Sequence, residues 1–123
     1  MKRYSGIIVR FDDKYLLCKR NYKGSLPGIW SIPGGHMEDN ETPENCARRE
    51  FFEETAHEIP KDAKLFCIDR YFADKRMYFL FLYRVDKKFV VKIDWEHEDL
   101  GWFTKDKLPE PIAPQIFDAI SRV

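Results

Sequence analysis

Three carboxylates, Glu50, Glu53 and Glu54, stand at i, i+3 and i+4 of one segment. If the segment is helical, 3.6 residues per turn place all three within an arc of roughly 100°. Like charges at this spacing repel by about 0.2–0.5 kcal/mol per pair. Anions near a helix C-terminus also oppose the macrodipole, by roughly 0.3–1 kcal/mol. Such a patch is unfavourable without a counter-ion. A hard divalent cation such as magnesium supplies one, because it accepts a few carboxylates and keeps positions for water and phosphate oxygens. Metal-assisted work on phosphate groups is the chemistry in prospect. An acidic helix face by itself is an ordinary solvated surface, so the surrounding sequence has to decide.

A helix is expected there. In Thr42-Pro43 the Thr hydroxyl can cap free N–H groups, and proline at the first helical position forfeits only an unpaired donor. The helix should run to about Ala56, burying a modest stripe of Cys46, Ala47 and Phe51 and leaving the other face to the glutamates. Ahead of it, residues 6–11 and 14–18 read as a hairpin turned by Asp12-Asp13, residues 21–28 as a polar loop, and residues 30–33 as a short extended piece ending at Gly34-Gly35. After it, residues 65–72, 77–85 and 89–93 read as a strand meander turned at Asp74-Lys75 and Asp86-Lys87-Lys88. The run Met77-Tyr78-Phe79-Leu80-Phe81-Leu82-Tyr83 is apolar on both alternating faces, so that strand should be covered on both sides. A last helix over residues 114–121, carrying Ile116, Phe117 and Ile120, supplies the second cover. The expected fold class is α/β: an α/β/α sandwich with a mixed sheet between helices.

At 123 residues the chain fits a single domain spanning 1–123, with one core and one site. Its 44% hydrophobic and 34% charged residues make a globular composition. Lys plus Arg and Asp plus Glu each total 21, which gives no support to a basic nucleic-acid surface, and long nucleic acid is not expected as a partner. Cys18, Cys46 and Cys67 match neither a disulfide framework nor a CxxC pair and fit free thiols in a reducing compartment. With no signal-peptide pattern at the N-terminus and no run near the roughly 18 apolar residues of a membrane span, a cytoplasmic location is the expectation.

Residues 35–54 bring Gly35, Glu41, Arg49-Glu50, Phe51 and Glu53-Glu54 into one pattern. It resembles the box of the Nudix hydrolases (the MutT-like family): Gly, five residues, Glu, seven residues, Arg-Glu, an apolar residue, any residue, Glu-Glu, any residue, Gly, apolar. Only the last two positions depart, with Ala56 for Gly and His57 for an apolar residue. Gly there would relieve strain in a left-handed helix-ending turn, so Ala56 should cost about 1 kcal/mol or shift the turn, bearing on where Glu53 and Glu54 sit. The resemblance continues through Trp30-Ser31-Ile32-Pro33-Gly34-Gly35-His36-Met37-Glu38 and through Glu96-His97 followed by Gly101-Trp102-Phe103.

The resemblance implies a magnesium-dependent pyrophosphohydrolase, with manganese able to substitute. Water would attack phosphorus in a nucleoside diphosphate linked to another moiety: a nucleoside triphosphate, a dinucleoside polyphosphate or a nucleotide sugar. Glu50, Glu53 and Glu54 would be metal ligands, joined by the Gly35 carbonyl. Arg49 would orient them, most plausibly by pairing with Glu41. The general base would come from the late segment, Glu96 or Glu98, with Glu96 preferred for its place before His97 and Glu53 kept as another candidate. Arg20 would meet a substrate phosphate, while Trp30 and Tyr71 could stack on a base, although both also suit a core rich in aromatics. The alternative is a catalytically silent Nudix module that binds a nucleotide or ADP-ribose-like ligand as a sensor, but such a module should have lost ligand carboxylates, and all are present. Ile112 and Ala113 stand where oxidised-guanine readers place a polar side chain, which weighs against that substrate. Beyond a small-molecule nucleotide, a homodimer is left open as a partner.

Overall fold

The computed structural model describes residues 1–24 and 26–123, so the expected loop over 21–28 contains one residue, Ser25, outside the description. Among the described residues seven strands form one mixed sheet: β1 (Lys2–Phe11), β2 (Lys14–Arg20), β3 (Trp30–Ser31), β4 (Gly34–His36), β5 (Phe66–Ala73), β6 (Arg76–Val85) and β7 (His97–Thr104). Helix α1 (Pro43–Thr55) follows β4 and helix α2 (Pro114–Ser121) closes the chain. The main strand order is β3-β2-β1-β6-β5, with β4 also pairing β1 and β7 also pairing β2. At the centre β1 and β6 run parallel, from Lys2 opposite Arg76 to Phe11 opposite Val85.

Two tight turns set the antiparallel pairings. Asp12, at φ 53°, lets β1 fold back onto β2 with Phe11 opposite Lys14. Asp74 and Lys75, both in the left-handed region at φ 51° and 61°, join β5 to β6 by a two-residue turn that matches the right-handed twist of the strands.

Strict alternation then divides the core in two. Ile8, Leu17, Leu80 and Leu82 face Ile116, Ala119 and Ile120 of α2, while Ile7, Val9, Leu16, Phe81 and Tyr83 face Ala47 and Phe51 of α1. The central strand β6 is therefore covered on both sides, as its unbroken apolar run requires.

Three details differ from the sequence reading. Residues 89–93 form no strand. Phe89 instead stacks on His57 at 3.8 Å, and the Lys92 N–H donates to the Thr55 carbonyl at 2.9 Å, so this segment is captured by the end of α1 rather than by a neighbouring strand. Strand propensity measures fit to a pleated surface, and the helix end offered the better surface. The extended piece over 30–33 is split, because β3 pairs with β2 whereas Gly34-Gly35 continues into β4 against β1. Phe117 is 52% exposed; Ile116, Ala119 and Ile120 form the buried stripe of α2 in its place.

Candidate active site

Helix α1 begins and ends where its terminal residues dictate. The Thr42 hydroxyl accepts from the Asn45 N–H at 3.1 Å, and Pro43 opens the first turn. At the other end Ala56 adopts φ 61° and ψ 14°, and its N–H donates to the Phe52 carbonyl at 2.8 Å. The turn usually made by glycine is thus kept by alanine, at a strain of roughly 1 kcal/mol. His57, the other departure, fills an apolar role, with its ring against Phe51 and Phe89 and its basicity lowered by burial.

Arg49 is the hub of the acidic face. Its Nε and Nη2 donate to Glu41 Oε2 and Oε1 at 2.8 and 3.0 Å, the two-pronged pairing that a guanidinium makes with a carboxylate. Nη1 reaches Glu50 at 3.1 Å and Glu53 at 3.2 Å, and Nη2 also donates to the His36 carbonyl at 3.0 Å. This fork fastens the loop before α1 to the helix and holds the Glu41 carboxyl down at about 2, chiefly through the hydrogen bonds from Arg49.

The three carboxylates of the helix differ in setting. Glu53 is exposed and turned to Arg49. Glu50 lies against Gly35, where a Cβ would collide with its carboxylate, so the bare glycine makes room for it. Glu54 is 3% exposed; its Oε2 accepts from the Gly34 N–H at 3.0 Å, while Oε1 is buried with no hydrogen-bond partner. Burial, the neighbouring Glu50 charge, and then Glu96 and Asp94 push the Glu54 carboxyl far above its ordinary range. Burial likewise raises Glu50.

Among the described residues no three His, Cys, Asp or Glu side chains gather round one point so as to hold an ion as they stand. The donor set nevertheless suits a hard divalent cation. The buried Glu54 and partly buried Glu50 carboxylates crowd together, and Glu54 Oε1 lacks a hydrogen bond, a cost that a cation would offset. Glu53 would have to turn from Arg49 to join them. The Gly35 carbonyl presently accepts from the Cys46 thiol at 3.6 Å.

The late segment comes to this face through β7. From Lys14 opposite Thr104 to Lys19 opposite Asp99 the β2–β7 register is regular, and then Arg20 pairs with His97, skipping Glu98. Glu98 is therefore the extra residue of a bulge and is exposed, whereas Glu96, partly buried in the turn before β7, lies close enough for its charge to raise Glu54. Two residues apart in a regular strand, Glu96 and Glu98 would point the same way, but the bulge separates them. Arg20 ends β2 beside His97, with its N–H donating to the Ile29 carbonyl at 2.9 Å.

The two residues offered for base stacking are both engaged by the α2-side core. Trp30 is 8% exposed, packed edge-on to Phe103 in the α2-side core, so its ring is not available for stacking. Tyr71 lies on the edge strand β5 and packs against the same core, on the side opposite α1, with one ring face taken by Tyr78 at 4.9 Å. In both cases the demand for apolar filling decides the position of the ring.

Conversely, the sequence assigns no role to Asp94 or His97. His97 is buried, with Nδ1 at 2.9 Å from Asp94 Oδ1 and Nε2 at 3.7 Å from Glu54 Oε1. The spacing Asp94-x-x-His97 was the available signal. Cys18 is drawn into the same corner, its thiol pushed up to about 12 by burial and by Glu54 and Asp94.

The structure thus sets a mixed sheet between two helices, with crowded carboxylates on one of them and an arginine locking the preceding loop. The chain belongs to the Nudix family: a family model described as NUDIX domain matches residues 1–123. It is 31% identical over 113 residues to the nucleoside triphosphatase NudI of Escherichia coli, covering 82% of this chain and 80% of that one. It is 28% identical over 94 residues to the 8-oxo-dGTP diphosphatase of Proteus vulgaris, covering 76% and 77%. A MutT NUDIX hydrolase from Burkholderia pseudomallei superposes with a TM-score of 0.78 at 27% identity, covering 99% and 97% of the two chains. Nudix hydrolases generally depend on a divalent metal. Among the described residues no helix is long and apolar enough to cross a membrane.

Proposed function

We propose that this chain is a magnesium-dependent pyrophosphohydrolase of small nucleotides, with nucleoside triphosphates as its first substrate class. The observation that carries the reading is the buried Glu54 carboxylate, one oxygen bonded to Gly34 and the other without a hydrogen bond, pressed against Glu50. The two relatives that act on nucleoside triphosphates support the substrate class. Ile112 and Ala113, an apolar pair tied to Trp30, weigh against specific reading of oxidised guanine.

Glu50, Glu53 and Glu54, with the Gly35 carbonyl, are the residues to hold the cation. When bound, magnesium lowers the pKa of an attacking water and neutralises charge on the bridging phosphates. Arg49 positions Glu50 and anchors the loop through Glu41, without itself meeting the substrate. Glu96 rather than Glu98 takes the proton from the attacking water, because Glu96 lies near Glu54 and Glu98 sits on the bulge facing solvent. Arg20, ending the strand beside His97, receives a phosphate of the substrate. As oxygen attacks phosphorus, the bond to the bridging oxygen breaks, the proton passes to Glu96, and two phosphorylated products leave.

The test is phosphate or pyrophosphate release from nucleoside triphosphates, dinucleoside polyphosphates, ADP-ribose and nucleotide sugars with magnesium, for the native protein, Glu53→Gln and Glu96→Gln. Activity on nucleoside triphosphates that both variants lose by about 100-fold or more supports the assignment. A native protein that binds nucleotides and hydrolyses none of them overturns it.

A further inference from the structure

We propose that His97, oriented by Asp94, is the positioning residue that fixes the Glu54 carboxylate and joins it to the loop carrying Glu96. The inference rests on the reading of Glu54 as a metal ligand.

Its first support is the enclosure of the pair. His97 and Glu54 are 4% and 3% exposed, and polar groups so placed must find partners within the protein. One His97 nitrogen has its partner, with Nδ1 at 2.9 Å from Asp94 Oδ1. The other, Nε2, lies 3.7 Å from Glu54 Oε1, the oxygen that lacks a hydrogen bond. Since the Gly34 N–H already holds Oε2, the carboxylate is bracketed by backbone on one side and by the imidazole on the other.

The second support is the bulge. Leu100 and Trp102 of β7 pack on the α1 side of the sheet, so unbroken alternation would send Glu98 to that side and His97 away from it. Skipping Glu98 in the pairing reverses the two and places His97 opposite Arg20, facing α1. Bulges re-aim side chains next to functional sites, and here the side chain re-aimed is the one that meets Glu54.

Asp94 adds the link to the loop. Besides orienting the imidazole, Oδ1 accepts from the Glu96 N–H at 3.3 Å, and its carbonyl accepts from the His97 N–H at 3.2 Å. One residue thus sets the backbone of Glu96 and the ring that meets Glu54. Displacing either would change the separation between the proposed base and the ligand helix.

The experiment compares native protein with His97→Leu, His97→Gln and Asp94→Ala. It measures Mn²⁺ affinity by the spin signal of free Mn²⁺, kcat and KM for a nucleoside triphosphate, and the metal-free melting temperature. His97→Leu should weaken Mn²⁺ binding and lower kcat by about 10–100-fold, the usual effect of removing a group that orients a metal ligand, with KM within about 2-fold. His97→Gln, which keeps a polar group toward Glu54, should restore much of both. Asp94→Ala, at a partly exposed side chain, should show the same pattern about 10-fold or more and guards against a His97 variant that fails to fold. Folded variants that bind Mn²⁺ and turn over like the native protein overturn the positioning role while leaving the hydrolase reading intact. A native protein that binds no Mn²⁺ overturns both.

Discussion

Replacing Glu41 with Gln removes one charge from the Arg49 fork and little else, since glutamine keeps the shape and can still accept from the Glu38 N–H. The pairing holds the Glu41 carboxyl at about 2 in the folded chain against 4.5 for the unperturbed group, which at full weight corresponds to about 3 kcal/mol. Water reaches Arg49, whose side chain is 26% exposed, and this screening brings the expected loss to about 2 kcal/mol at neutral pH. The sign is fixed by the direction of the shift. A carboxyl whose folded value is depressed stabilises the protein above its unfolded value and loses that contribution as pH falls from 4.5 toward 2. Urea unfolding of native protein and Glu41→Gln, followed by tryptophan fluorescence, should therefore show a gap of about 2 kcal/mol at about pH 7 that is more than half closed by about pH 3. A gap that stays constant over this range, or one under about 0.5 kcal/mol at about pH 7, would refute the fork as the fastening between loop and helix.

Other substitutions test separate parts of the structure. Gly35→Ala should drive the Glu50 carboxylate from its place and weaken Mn²⁺ binding by about 10-fold or more, read by titration. Ala56→Gly should relieve the left-handed turn at φ 61° and stabilise the chain by about 1 kcal/mol, seen as a rise of roughly 4 °C in melting temperature. Trp30→Ala should cost about 3–5 kcal/mol in denaturant unfolding, as for a core aromatic; a change in KM with stability preserved would instead restore a base-stacking role.

The spacing of Glu50, Glu53 and Glu54 and the Thr42-Pro43 start of α1 were legible in the sequence because they depend on helix periodicity and on groups a few residues apart, whereas the Arg49–Glu41 pairing was legible only through the resemblance to the Nudix box. The double-sided covering of β6 was legible too, from its unbroken apolar run. Matters settled by distant segments were not. Whether residues 89–93 join a sheet depended on the end of α1, whether Trp30 faces solvent depended on Phe103 and α2, and the exposure of Phe117 depended on which residues α2 turned to the sheet. The pairing of β2 with β7 joins segments separated by most of the chain, and a single skipped residue, Glu98, reverses which of its neighbours meets the helix. Local periodicity specifies faces only while register is unbroken, so the residues competing for the acidic helix were named by the sequence, while their placement was decided by tertiary pairing.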